Sequence, residues 1–217
     1  PEGHQPFCDA RQKVWLSLNG EIYNYIEVRE ELITLGHEFR TESDTEVLVQ
    51  AYLEWGEFCF EKLNGMWAIA LYDVEKRQLI LCRDRTGERP LYWIRQNNSI
   101  IFASEIKALL DDEIYPNRQV NDDSVYNFLF QAASDLDERT FFVGVESVPA
   151  ATVVKISHEG KISTRRFWSI PNKRAESVAK GKIQSIAEEL RELLRSSVEL
   201  RLRADVPINV ALSGGMD

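Results

Sequence analysis

The sequence predicts an α+β fold with two stacked antiparallel sheets flanked by helices. Strand signals recur along the first two thirds of the chain, either as alternating apolar and polar residues or as short, near-continuous apolar runs. Several of these runs are joined by short polar turns, which is typical of hairpins. Segments with helical spacing stand in groups beside them. The pattern alone supports no finer class than α+β.

The strand and helix signals can be placed in chain order. Strands are predicted over residues 14–18, 66–72, 78–83, 91–95, 100–103, 153–157 and 161–167. Helices are predicted over residues 25–35, 45–55, 106–110 and 124–130. Gly36 is the expected C-cap of the first helix. For the second helix, Ser43 or Asp44 can cap the N-terminus, and Glu46 stands close to a capping-box position.

A second region follows a polar stretch over residues 171–182, which is the best candidate for a linker. Apolar residues then recur on one face of a long predicted helix over residues 183–202. A short apolar strand is predicted over residues 208–212, and Ser213-Gly214-Gly215 comes directly after it. A buried strand that runs into a glycine-rich turn is how α/β folds build a phosphate-binding loop. No Gly-Lys-Ser/Thr follows, so this is not a Walker motif.

Composition narrows the class of protein. The chain has 217 residues, of which 44% are hydrophobic, and this suits a globular fold of one or two domains. A net charge of −9 disfavours nucleic acid and anionic membranes as partners. The longest apolar run, residues 66–72, is far shorter than the roughly 20 residues of a membrane helix. Three irregularly spaced cysteines form neither a zinc pattern nor a disulfide framework, which favours the reducing cytoplasm.

The pair Asn19-Gly20 is the most informative local motif. An asparagine amide beside a glycine N–H provides two hydrogen-bond donors, and an acyl-transfer site needs such donors to hold a developing oxyanion. Asn-Gly is also the commonest hairpin turn pair, so a plain turn is the alternative.

Six short sequence motifs, taken in their order along the chain, indicate a protein family. They are residues 19–24 (NGEIYN), 43–46 (SDTE), 63–68 (LNGMWA), 83–92 (RDRTGERPLY), 103–109 (ASEIKAL) and 212–217 (LSGGMD). This ordered set resembles the glutamine-hydrolysing asparagine synthetases over nearly the whole chain, from about residue 3 to residue 217. The resemblance implies an N-terminal-nucleophile-type α-β-β-α sandwich, here incomplete. It would be followed by the first helix and strand of an α/β PP-loop nucleotide-binding domain.

The resemblance also implies a domain division. Residues 1–170 would be a type 2 glutamine amidotransferase domain that lacks its N-terminal part, residues 171–182 a linker, and residues 183–217 the start of an ATP-binding synthetase domain. The family's nucleophilic cysteine, and an arginine that grips the glutamine carboxylate, would then lie upstream of Pro1. Cys8 is not expected to replace that cysteine, because it is an internal residue and has no free α-amine.

Site residues follow from the resemblance. Asn19 would supply the side-chain oxyanion donor and Gly20 the backbone donor, Glu21 would line the glutamine pocket through its main chain, and Asp44 would hold the glutamine α-ammonium. The alternative for Asp44 is a helix N-cap, and the two roles are compatible. The residues expected to contact ATP phosphates, pyrophosphate or Mg²⁺ are Ala211, Ser213, Gly214, Gly215 and Asp217. No protein metal site is predicted.

The paired charges of Arg83 and Asp84 are interpreted as structural, because they lie between a strand and a Gly-Pro turn. As a whole, the resemblance implies a cytoplasmic ligase that uses glutamine, aspartate and ATP. ATP and Mg²⁺ would serve the intact enzyme and no cofactor is expected in this fragment, which is itself expected to be inactive; a homodimer is left open. Two alternatives remain: an amidotransferase of the same plan with another acceptor, and a non-catalytic assembly module.

Overall fold

The computed structural model describes residues 4–111, 113–134, 136–172, 183–204, 206–210 and 214. The chain divides into two compact units, Pro1–Ser169 and Ile170–Asp217. The predicted linker falls largely on residues 173–182, which lie outside the described ranges.

The first unit contains nine strands among its described residues. They are β1 (Phe7–Cys8), β2 (Val14–Ile22), β3 (Gly65–Asp73), β4 (Gln78–Arg83), β5 (Tyr92–Gln96), β6 (Ser99–Ala103), β7 (Val145–Ser147), β8 (Thr152–Ser157) and β9 (Ile162–Arg166). Its α-helices are α1 (Tyr25–Thr34), α2 (Asp44–Trp55), α3 (Cys59–Lys62) and α4 (Asp122–Gln131). Two 3₁₀ turns span Gly56–Phe58 and Ile106–Leu109.

Two antiparallel sheets organise this unit, as predicted. Sheet A has six strands in the order β1-β2-β3-β4-β8-β9, and sheet B has three in the order β6-β5-β7. The hairpin expected between residues 91 and 103 forms the central strand β5 and the edge strand β6 of sheet B, which pair from Tyr92↔Ala103 to Gln96↔Ser99. The hairpin expected near Gly160 joins β8 to β9 at the other edge of sheet A.

The core explains why the strands carry the patterns they do. One face of sheet A, including Leu16 and Ile69, packs in one cluster with Leu48 and other residues of the helical layer. The opposite face, which includes Ala70, packs in a second cluster with Trp93 of sheet B. Strand β3 is covered on both faces, so it reads as a continuous apolar run instead of an alternating one. A third cluster covers sheet B around Ile94, Leu109 and Val145.

The start of α2 departs from the predicted capping box. Ser43 is the N-cap and accepts a hydrogen bond from the Thr45 N–H at 3.2 Å. The carboxylate of Glu46 is fully buried and turns to the preceding loop, where it accepts from the backbone N–H groups of Arg40 and Thr41. Glu46 therefore anchors the loop before the helix, because a buried carboxylate is stable only where donors surround it.

The second unit contains α5 (Ile183–Arg201), close to its predicted bounds. The strand predicted over residues 208–212 is not formed at 206–210, and residues 211–212 lie outside the described ranges. A strand needs a neighbour to satisfy its backbone groups, and no described residue pairs with this segment. No helix among the described residues is long and apolar enough to span a membrane.

Candidate active site

Asn19 and Gly20 lie inside a strand, so the hairpin-turn interpretation is wrong. Strand β2 was expected to end at residue 18 but continues to Ile22. In the register with β3, Asn19 pairs with Ala68 and Gly20 pairs with Trp67. The turn propensity of Asn-Gly is overridden because β3 offers a full-length partner strand, and pairing satisfies more backbone groups than a turn would.

Gly20 is required by the close approach of β3. Its φ is +148°, and a Cβ built there would lie 2.0 Å from the Met66 carbonyl oxygen. Across the same pair of strands, a Cβ on Gly65 would lie 2.2 Å from the Glu21 carbonyl oxygen. The two glycines allow the strands to approach without side chains between them.

Among the described residues, the edge of β2 that faces away from β3 has no partner strand over residues 17–22. The short strand β1 covers only Trp15 and Leu16. Beyond it, the N–H of Leu18 donates to Gln5 Oε1 at 2.6 Å, and the N–H of Ile22 donates to Asp44 Oδ2 at 3.0 Å. Backbone N–H groups of alternate residues point to the same side of a strand. The Gly20 N–H therefore points to this edge, where no described side chain accepts from it.

Asp44 lies at this edge through its contact with Ile22. It is the first residue of α2 and is half-buried. One carboxylate oxygen accepts from the Ile22 N–H, and the other accepts from the Thr45 hydroxyl at 3.3 Å. Since a carboxylate offers about four lone-pair sites, Asp44 retains acceptor capacity for a cationic group. The structure thus brings Asp44 close to Gly20, while Ser43 takes the capping role.

The Asn19 side chain contacts a residue that sequence reasoning missed. Its Nδ2 donates to Ser104 Oγ at 2.9 Å, and Ser104 comes directly after β6 of sheet B. Gln5 was missed as well, although it lies at the same edge of β2. Ser104 stood within one of the quoted blocks, but a serine beyond a strand end carries no local signal for a contact with β2. The side chain of Glu21 is exposed, and its backbone pairs with Met66.

The Arg83-Asp84 pair is structural, as interpreted. Asp84 is fully buried, and its two carboxylate oxygens accept from four backbone N–H groups at 3.0–3.2 Å. The Arg83 guanidinium donates to the carbonyl oxygens of Gly87, Arg89 and Val148. These contacts use both charged groups to hold the loop over residues 84–89.

None of the three cysteines is placed as a nucleophile. Cys8 pairs with Trp15 on β2, so about 13 Å of strand, at roughly 3.3 Å per residue, separate it from Asn19. Cys59 and Cys82 are buried in the core. Burial raises the pKa of the Cys59 thiol well above its ordinary value, and burial likewise raises the pKa of Cys82. A thiol held neutral is a poor nucleophile.

The residues predicted to bind ATP fall largely outside the described ranges. Ala211, Ser213, Gly215 and Asp217 all lie there. Gly214 is described, with φ of +79° and open space where a Cβ would be. Within the described residues, no group of histidine, cysteine and acidic side chains is arranged to hold a metal ion.

Two protein families match this chain. Residues 1–168 match the glutamine amidotransferase domain, and residues 189–217 match asparagine synthase. Asparagine synthetase [glutamine-hydrolyzing] 3 of Bacillus subtilis (strain 168) is 32% identical over 217 residues, which cover 99% of this chain and 34% of that protein. Asparagine synthetase [glutamine-hydrolyzing] 2 of the same organism is 35% identical over 222 residues, covering 99% of this chain and 29% of that protein.

The fold is also found among solved structures. The glutamine phosphoribosylpyrophosphate amidotransferase from B. subtilis, complexed with ADP and GMP, superposes with a TM-score of 0.55 at 22% identity, over 77% of this chain and 32% of that chain. This likeness supports the fold alone. The chain spans about a third of the length of the curated relatives it matches. Together the matches confirm the resemblance that the ordered motifs predicted.

Proposed function

The chain belongs to the glutamine amidotransferase domain family, and on that premise we propose that residues 1–170 are the glutamine-hydrolysing part of a longer enzyme that makes asparagine. In the same proposal, residues 171–182 are a linker and residues 183–217 begin the domain that uses ATP. The observation that supports the proposal is that Asp44 accepts from the Ile22 N–H on the edge of β2 toward which the Gly20 N–H also points, one residue from Asn19.

The proposed chemistry is acyl transfer. A nucleophile gives up its proton and adds to the side-chain amide carbon of glutamine, so that the carbonyl oxygen becomes negatively charged. The amide nitrogen takes up that proton, and the C–N bond breaks to release ammonia when the carbonyl re-forms. Water then releases glutamate from the acyl-enzyme. The Asn19 Nδ2–H and the Gly20 N–H would donate to the oxyanion, which they stabilise most when its charge is fully developed. The family resemblance implies an N-terminal cysteine as nucleophile, and the placement of the three cysteines of this chain supports none of them in that role.

Asp44 would fix the other end of glutamine. Its carboxylate has spare acceptor capacity beside the strand edge and would pair with the α-ammonium group. A charge-assisted hydrogen bond in a half-buried position discriminates for an amino acid over a simple amide. Glu21 would contact the substrate through its main chain, which the pairing with β3 holds extended.

The ammonia would pass to an aspartyl-adenylate made from aspartate and ATP. The match of residues 189–217 to asparagine synthase supports this, and so do the names of the relatives. Ala211, Ser213, Gly214, Gly215 and Asp217 would contact the phosphates, pyrophosphate or Mg²⁺. A related enzyme with a different acceptor would share the whole glutamine site, so product identification with aspartate as the sole acceptor separates the two proposals.

The decisive experiment replaces Asn19 in the full-length protein. Asn19→Ala is expected to lower glutamine-dependent synthesis by about 10²–10³-fold, the usual cost of one oxyanion donor. Synthesis from added ammonia should continue, because it bypasses the amide hydrolysis. An equal loss with both nitrogen sources would mean that Asn19 is structural. A polypeptide of residues 1–217 alone is expected to release no ammonia from glutamine, and release above the buffer rate that Cys8→Ala abolishes would overturn the proposed roles.

A further inference from the structure

We propose that Ser104 is a positioning residue that orients the Asn19 amide for glutamine hydrolysis, an inference that rests on the proposed function. The Asn19 Nδ2 donates to Ser104 Oγ at 2.9 Å. Asn19 lies on β2 of sheet A, and Ser104 follows β6 of sheet B, so the bond crosses from one sheet to the other. Ser104 therefore sets the amide orientation from a separate structural layer.

No other described contact fixes the orientation of the Asn19 amide. The Asn19 side chain is exposed, so packing does not fix its torsion angles. Among the described residues, Ser104 is the one hydrogen-bond partner found for the Asn19 amide. The χ2 torsion of asparagine is broad and roughly twofold, so an unheld amide turns easily.

In the observed orientation, the bond places the amide nitrogen, and not its oxygen, beside Ser104. An asparagine amide carries two N–H donors and one carbonyl acceptor. With one N–H directed at Ser104, the second N–H remains for the oxyanion. If the amide turned over, its oxygen would face the developing negative charge and raise the barrier. Preorganised donors stabilise a transition state because they need no reorientation at the moment of reaction.

The first test measures glutamine-dependent and ammonia-dependent synthesis by the full-length protein. Ser104→Ala is expected to lower the glutamine-dependent kcat about three- to tenfold, the rate equivalent of one ordinary hydrogen bond. The KM for glutamine should change little, because the donor acts mainly on the transition state. Ser104→Thr keeps the hydroxyl and should retain most of the rate. Ser99→Ala, at the exposed start of the same strand, is the matched control and should be silent.

A double-mutant cycle separates positioning from general damage. If Ser104 acts through Asn19, Ser104→Ala should cause no further loss in an Asn19→Ala background. The same fold-loss in both backgrounds would overturn the inference and leave the proposed function standing. Normal glutamine-dependent activity in an Asn19→Ala variant would contradict the proposed role of Asn19 in glutamine hydrolysis, and the inference about Ser104 would fail with it.

A spectroscopic readout tests the contact without catalysis. The side-chain NH₂ group of Asn19 gives its own amide resonances in a ¹⁵N-labelled protein. Ser104→Ala should shift these resonances and speed their exchange with solvent, whereas Ser99→Ala should not. Unchanged Asn19 NH₂ signals in a folded Ser104→Ala protein would show that the serine does not hold the amide, and would overturn the inference.

Discussion

Asp44 and Asp84 are two aspartates near the same end of sheet A, yet their surroundings are opposite. Asp84 is fully buried, and four backbone N–H groups occupy both of its oxygens. Asp44 is half-buried, with one backbone N–H on one oxygen and one hydroxyl on the other. Each stands within a motif that resembles the same enzyme family.

The two carboxylates differ in unused hydrogen-bonding capacity, and under the proposed function this difference is what suits Asp44, and not Asp84, to bind a substrate. A carboxylate surrounded by donors on all sides stabilises its loop and has nothing left to offer a ligand. A carboxylate at the edge of a strand, with lone pairs that no described donor occupies, can still accept from a cationic group. The contrast predicts that a change to the Asp44 carboxylate alters activity, whereas the same change to the Asp84 carboxylate alters stability.

The largest effect on stability is expected from adding a side chain at Gly20, where β2 and β3 approach each other closely. Gly20→Ala places a Cβ 2.0 Å from the Met66 carbonyl oxygen, so the strands must separate. We expect a loss of about 3 kcal/mol or more in unfolding free energy. Gly36→Ala is the control, since Gly36 also has a positive φ but meets nothing within 4 Å, and it should cost about 1 kcal/mol. Urea unfolding compares the two; equal costs would mean that the close approach is unimportant.

The two aspartates can be compared by the same isosteric change. Whichever way the amide of Asp84→Asn turns, its NH₂ faces two backbone N–H donors, because each carboxylate oxygen accepts two of them. We expect a loss of about 3 kcal/mol in stability. Asp44→Asn keeps an acceptor for the Ile22 N–H but loses its charge, so the KM for glutamine should rise roughly 10- to 100-fold with a nearly unchanged unfolding midpoint. The reverse pattern would contradict the comparison.

A third carboxylate extends the comparison to pH. Burial by itself raises the pKa of Glu57, but its hydrogen bonds and ion pairs with Lys155 and Arg165 outweigh this and hold the pKa below its ordinary 4.5. A lowered pKa adds stability above the unfolded-state value, and this stability is lost as pH falls through the folded-state value.

Glu57→Gln should therefore cost about 1 kcal/mol at pH 7, and the difference between the two proteins should shrink as the pH falls below 4.5. Urea unfolding across this range measures the effect. The exposed Glu159→Gln is the control and should show no such convergence. A cost that stays constant with pH would show that the glutamate contributes through packing alone.

The smallest effect is expected at Cys8. It pairs with Trp15 and lies about 13 Å of strand away from Asn19. Cys8→Ala should leave the glutamine-dependent kcat of the full-length protein unchanged. A loss of more than about tenfold, without a loss of stability, would extend the active site to β1.

The sequence by itself determined the class of fold and most of the elements. The apolar run of β3, the hairpin of sheet B and the long helix α5 were predictable because their patterns extend over many neighbouring residues. The ordered motifs also indicated the family, and the resemblance to that family predicted Asn19, Gly20 and Asp44 as site residues.

Only the tertiary structure decided which groups surround these three residues. Asn19-Gly20 is strand and not turn because β3 pairs with it, and no described residue accepts from the Gly20 N–H, since β1 pairs only with Trp15 and Leu16. Ser104 reaches Asn19 across 85 positions of sequence. Local patterns report only on near neighbours, whereas pairing, strand edges and contacts between sheets depend on residues far apart in the chain.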